Sequence, residues 1–127
     1  MLVDTDVLIW HLRGLPKATQ RLDRLSGITV SAITWLELLQ GFRNQMEMLA
    51  VQKSLDMRGA KRLPITPAIT DRAIELMEAF ALSHGMRLGD ALIAATAIEH
   101  GLTVLTGNVR HFSPIESLQI ERFDPNG

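Results

Sequence analysis

The sequence predicts an α/β domain in which a parallel sheet of about five short strands is covered by helices on both faces. Three observations carry that expectation. Short apolar runs alternate with longer stretches of helical spacing, the intervening stretches mostly run to ten residues or more, and no linker, repeat or low-complexity segment breaks the series. Crossovers of that length join parallel strands, whereas hairpins would join antiparallel ones.

The elements follow in order. MLV reads as the first strand, and residues 5–12 as a helix with Val7, Leu8, Ile9 and Trp10 on a broad apolar face, ending before Gly14. Pro16 opens a second, more polar helix to about Leu25, since proline is tolerated in a first turn. ITVS is the next strand, and Ser31 caps a helix carrying Ile33, Leu36, Glu37, Leu38 and Leu39 that stops near Gly41. A helix over about 44–58, rich in methionine and leucine, precedes a third strand, RLPIT. Thr66 or Pro67 starts a long amphipathic helix to about His84, stopped by Gly85, and the next helix, 89–100, is stopped by Gly101. TVLT is the fourth strand, a short turn leads to Phe112, and SLQIERF offers the fifth. Residues 1–127 read as one domain, with 124–127 as a loose tail.

Composition narrows the function classes. The net charge of −1 argues against a protein that coats nucleic acid over a whole face, while leaving room for a local basic patch. The absence of cysteine excludes disulfides and thiolate chemistry and fits the cytoplasm. No secretory leader pattern opens the chain, and the longest uncharged apolar run, 91–98, is far below the ~20 residues that cross a bilayer. No membrane association is expected.

Against this background three acids stand out. Asp4 ends the first strand, Glu37 interrupts WLELL where its neighbours leave little reason for a solvated face, and Asp90 opens the helix GDALIAATAIEH. Each has a plainer explanation alone: Asp4, Thr5 or Asp6 can cap a helix, and acids are common in first turns. Together they fall near the carboxyl ends of parallel strands, where open sheets place their sites. Like charges about 4 Å apart repel by roughly 4 kcal/mol at an effective dielectric near 20. A divalent cation with oxygen ligands, ordinarily Mg²⁺ or Mn²⁺, would relieve that repulsion. Asn108 follows the fourth strand at the same edge, and Arg87, Arg110 and Arg43 lie beside these segments. His11 and His111 are not assigned a role. The small residues Ala91, Ala94, Ala95 and Ala97 allow the last long helix to lie close to the sheet.

VDTDVLIWHL, SAITWLELLQG, GDALIAATAIEHG and VLTGNVRHF, in that order over almost the whole chain, resemble the PIN-domain ribonucleases, and among them the VapC-type toxins of toxin–antitoxin pairs. The resemblance implies a Mg²⁺-dependent endoribonuclease whose catalytic and metal-binding acids are Asp4, Glu37 and Asp90. It implies one firmly held ion on Asp4 and Asp90, with Glu37 acting through water or near the nucleophile. Asp6, Thr106 and Asn108 take supporting positions, and Arg87, Arg110 and Arg43 are the candidate contacts for RNA phosphates. Asn108 stands where many PIN domains have a fourth acid, which puts tight binding of a second ion in doubt. The implied partners are RNA, an antitoxin peptide that blocks the acidic site, a second copy in a homodimer, and DNA only through the antitoxin. Trp10, Trp35, Phe42, Met46 and Met48 are candidates for the rim of the peptide groove, with core packing as the alternative.

Two other readings compete. One is a catalytically weak PIN-like subunit that serves as partner of a DNA-binding repressor. The other is an aspartate-nucleophile phosphatase of the haloacid-dehalogenase type, whose DxD pair DTDVL superficially contains. That family wants Thr or Val where this chain has Leu8, and neither its later lysine motif nor a cap insertion is found.

Overall fold

A computed structural model describes residues 1–127. Five strands, β1 (Leu2–Val3), β2 (Thr29–Ser31), β3 (Lys61–Leu63), β4 (Val104–Thr106) and β5 (Ile120–Arg122), form one sheet in the order β3-β2-β1-β4-β5. Every pairing is parallel, with Leu2 opposite both Thr29 and Val104. Helices α1 (Thr5–Leu12) and α2 (Pro16–Asp23) make the first crossover, α3 (Ala32–Gly41) and α4 (Gln45–Met57) the second, α5 (Pro67–His84) and α6 (Leu88–His100) the third, and α7 (Val109–Phe112) lies in the last. The third crossover carries the chain from edge strand β3 past β2 and β1, so strand order reverses between β1 and β4. That reversal opens a crevice at the carboxyl ends of these two strands.

Alternation along the strands sorts side chains into two cores. Leu2 and Val104 join the cluster under α5, α6 and α7, with Ile69, Ile93 and Phe112. Their neighbours Val3 and Leu105 point the other way and pack with Val7, Leu8, Leu22 and Leu38. The period of two is what a sheet covered on both faces imposes. On α6, Ala91, Ala94, Ala95 and Ala97 are all fully buried, so this helix lies in close contact with its surroundings.

Caps set the helix starts as the sequence implies. Ser31 Oγ accepts the Ile33 N–H at 3.3 Å, Asn44 Oδ1 the Glu47 N–H at 2.9 Å, and Thr66 Oγ1 the Ile69 N–H at 3.2 Å. Several boundaries differ from the expected ones. β3 is Lys61–Leu63 and not RLPIT, because Pro64 has no N–H with which to continue the ladder. The fifth strand is confined to Ile120–Arg122, and the turn before Phe112 is the helix α7. α2 ends at Asp23, where Leu25 N–H bonds to the Leu22 carbonyl in a tightened last turn.

α4 is the least anchored helix. Leu55 is its one buried side chain, Met46 and Met57 are 82% and 78% exposed, and cavities of about 610 and 400 Å³ adjoin it. Trp35 and Phe42, candidates for a rim, are half-buried: they pack against the core, meet edge-on at 6.0 Å, and each also lines one of these cavities. No helix is long and apolar enough to cross a membrane.

Replacing Ala95, which has no exposed surface, with Leu forces α6 away from its neighbours. The expected loss is about 1–3 kcal/mol of stability, read as a lower denaturant midpoint with an unchanged slope.

Candidate active site

Asp4 follows β1 directly and does two things at once. Its Oδ1 accepts the Thr5 N–H at 2.8 Å, capping α1, and its Oδ2 accepts the Thr106 hydroxyl at 2.7 Å across the β1–β4 crevice. Helix cap and edge acid are therefore one residue. The Thr106 hydroxyl oxygen in turn accepts the Asn108 N–H at 2.9 Å, which fixes its proton toward Asp4. The Asn108 side chain is at the exposed surface and does not cap α7.

Asp6 lies in the first turn of α1 and reaches the same turn after β4. Its Oδ2 accepts the Gly107 N–H at 2.9 Å. A Cβ on residue 107 would sit 2.7 Å from that oxygen, so only glycine lets the turn come this close. Asp6 Oδ1 is buried and has no hydrogen-bond partner.

Glu37 departs from the expectation of a buried position in WLELL: it and Leu36 are both exposed, on the solvent side of α3. Its carboxylate nonetheless turns back to the site, with Oε1 accepting the Thr5 hydroxyl at 2.7 Å. Asp90, in the first turn of α6, meets His111 Nδ1 at 3.3 Å.

Electrostatics tie these acids together. The carboxyl of Asp4, 4% exposed, is pushed up to about 7, first by burial and then by the negative charge of Asp6, against the lowering effect of its donors Thr106 and Thr5. Asp6 is raised chiefly by burial, against the lowering effect of its contact with Asp4 and of the Gly107 and Val7 N–H groups, and Asp90 adds a small further rise. Asp90 is also raised by burial; His111 opposes this, Asp4 and Glu37 add to it, and Arg87 opposes it weakly. Asp4, Asp6 and Asp90 thus act on one another across a single crevice, and the charge of Glu37 reaches Asp90.

Arg87 stands at the N-terminus of α6 and Arg110 on α7, both exposed, and Arg110 makes no ion pair. Arg43 pairs with Glu47 at 2.9 Å beside the larger cavity. His11 is bonded to Thr19 at 2.7 Å, and burial lowers its pKa.

The donor set suits a hard divalent cation: four carboxylates, no sulfur, and one buried oxygen without a partner. No three acids or imidazoles stand as a ready-made cage. Asp4 is held by Thr5 and Thr106, Glu37 by Thr5, and Asp90 by His111, so a cation would compete with these contacts. Thr5 and His111 as partners of the acids are not evident from sequence. Thr5 reads there as a cap, and His111 is brought to Asp90 only by the docking of α7.

A parallel α/β domain with an acidic crevice where strand order reverses is the architecture of a PIN domain, and the PIN domain family model matches residues 1–116. Ribonuclease VapC10 of Mycobacterium tuberculosis is 38% identical over 125 residues, covering 94% of this chain and 90% of that protein. Ribonuclease VapC19 of the same organism is 35% identical over 123 residues, covering 93% and 96%. Among solved structures, a toxin-antitoxin complex from Klebsiella pneumoniae superimposes with a TM-score of 0.78 at 27% identity, covering 98% of this chain and 96% of that one. The chain belongs to the PIN-domain family, in its VapC branch.

An acid with a native pKa above its unfolded one binds more protons folded than unfolded between the two values, so stability falls as pH rises across that interval. For Asp4 the interval runs from the usual carboxylate range, about 4, to about 7. Metal-free protein is therefore expected to lose stability as pH climbs through this window. Asp4→Asn should flatten the dependence and stabilise the metal-free chain at pH 8 by about 1–3 kcal/mol. Chemical denaturation in EDTA at several pH values checks it.

Proposed function

We propose that this chain is a metal-dependent endoribonuclease acting as the toxin of a toxin–antitoxin pair. The observation that carries the reading is the gathering of Asp4, Asp6, Glu37 and Asp90 in one crevice of a chain whose relatives are named ribonucleases. Bound Mg²⁺ or Mn²⁺ would supply positive charge for the scissile phosphate and acidify a coordinated water. Asp4 and Asp90 are the residues that would hold it. Asp4 is already oriented by Thr106, and Asp90 by His111. Glu37 carries the carboxylate that lines up water or accepts its proton, Asp6 and Asn108 support the edge, and Arg87 and Arg110 bind phosphates of the RNA.

The cavity of about 610 Å³ supports the partner reading. Its apolar walls, Ile9, Leu12, Leu38, Phe42 and Val51, run up to Glu37, and Arg13, Arg43 and Glu47 line it too. An amphipathic antitoxin segment fits there with its apolar side chains inward and a basic one against the acids. The homodimer, contact with DNA only through the antitoxin, and a cytoplasmic location belong to the same proposal.

Purified protein with Mg²⁺ or Mn²⁺ should cleave RNA, with activity lost in EDTA and reduced more than ~100-fold in Asp4→Asn and in Asp90→Asn. A chain inert toward tRNA, rRNA and mRNA alike favours the weak-subunit reading. Val51→Asp should weaken inhibition by the cognate antitoxin at least tenfold while RNA cleavage by the free toxin persists, measured by titrating antitoxin into the cleavage assay.

A further inference from the structure

Glu37 is the acid of this cluster with the most solvent around it, and a free glutamate loses appreciable rotamer entropy when fixed. Two contacts restrain it. The Thr5 hydroxyl oxygen is 2.7 Å from Glu37 Oε1 and 3.0 Å from Thr34 Oγ1. A carboxylate only accepts and Thr5 has one hydroxyl proton, so that proton goes to Glu37 and Thr34 donates to Thr5. Thr34 has no exposed surface, which leaves its hydroxyl no water to turn to. On the other side the carboxylate rests against the backbone of Gly89. A Cβ there would stand 3.1 Å from Oε2 and 3.5 Å from Cδ, tight enough that the carboxylate would have to shift by a few tenths of an ångström. The first residue of α1, the inner face of α3 and the first turn of α6 thus converge on one carboxylate.

We propose that Thr5, oriented by Thr34, and the bare Cα of Gly89 are positioning residues that hold the Glu37 carboxylate toward Asp4 and Asp90. This deepens the nuclease reading and rests on it. A carboxylate held in place before substrate arrives needs no reorganisation during the reaction, whereas one on a mobile glutamate does.

Thr5→Val keeps the side-chain shape and removes the hydroxyl, and Thr5→Ser restores it. The expected result is a fall in kcat of about tenfold or more for Thr5→Val with KM for RNA within about twofold, and near wild-type kcat for Thr5→Ser. Gly89→Ala should lower kcat likewise while its melting temperature holds or rises, because alanine is the better helix former. In a Glu37→Ala background Thr5→Val should add nothing. Without RNA, the ¹³C resonance of the Glu37 carboxylate carbon should shift in Thr5→Val and stay in Thr5→Ser. An unmoved resonance, or a Thr5→Val loss undiminished in Glu37→Ala, overturns the proposal. If Thr5→Val does not fold, Gly89→Ala decides: full kcat overturns the proposal, and reduced kcat at undiminished stability upholds it. A wild-type chain that cleaves no RNA sinks the nuclease reading, while the resonance still decides whether Thr5 holds Glu37.

Discussion

Repulsion among carboxylates taken out of water is the constraint around which this crevice is arranged. Asp4 and Asp6 are two residues apart at the mouth of a parallel sheet; burial raises both, the charge of Asp6 raises Asp4 further, and the contact with Asp4 partly offsets the rise at Asp6. Backbone N–H groups and one hydroxyl answer as donors. Thr5 N–H and the Thr106 hydroxyl point at Asp4, and Gly107 N–H points at Asp6. These are too few to neutralise the cluster, and Asp6 Oδ1 is left without a partner. An interior that keeps such a group forgoes stability that an apolar residue would supply, which is the usual mark of a functional site.

The turn after β4 does most of this holding. Thr106, Gly107 and Asn108 together contact two acids, and α7, which follows at once, brings His111 to a third. The turn can do so because β4 lies beside β1 in the sheet although about a hundred residues separate them. Their adjacency comes from the long α5–α6 crossover, and α6 also delivers Asp90. The alanines of α6 set how near that acid comes, so packing in one core and geometry in the crevice are a single problem.

Most of the element order was legible in the sequence because each strand is a short apolar run between helices with clear stops, and because Ser31 is a strong cap; the capping by Asn44 and Thr66 shows only in the structure. Asp4 and Asp90 were legible as charges at the ends of apolar runs. Glu37 was found for a partly mistaken reason: flanking leucines suggested burial, yet Leu36 is itself 52% exposed and α3 is wet at that point. The contacts of Thr5 and His111 were not legible, since they depend on how α1 meets α3 and how α7 meets α6. No local spacing encodes a pairing between elements. The short β3 and the helical α7 were boundary matters, decided by Pro64 and by packing of Phe112.

The loose seating of α4 gives the domain a second, softer mode. Burial of one leucine is worth about 1.5–3 kcal/mol, and even with half-buried Val51 beside it this anchorage is well below the 5–15 kcal/mol that holds a typical domain together. A segment so lightly buried is of the kind that opens by itself, ahead of the sheet and its acids. The width of the neighbouring cleft, which Glu47 and Val51 of this helix help to line, therefore depends on how firmly that helix is seated.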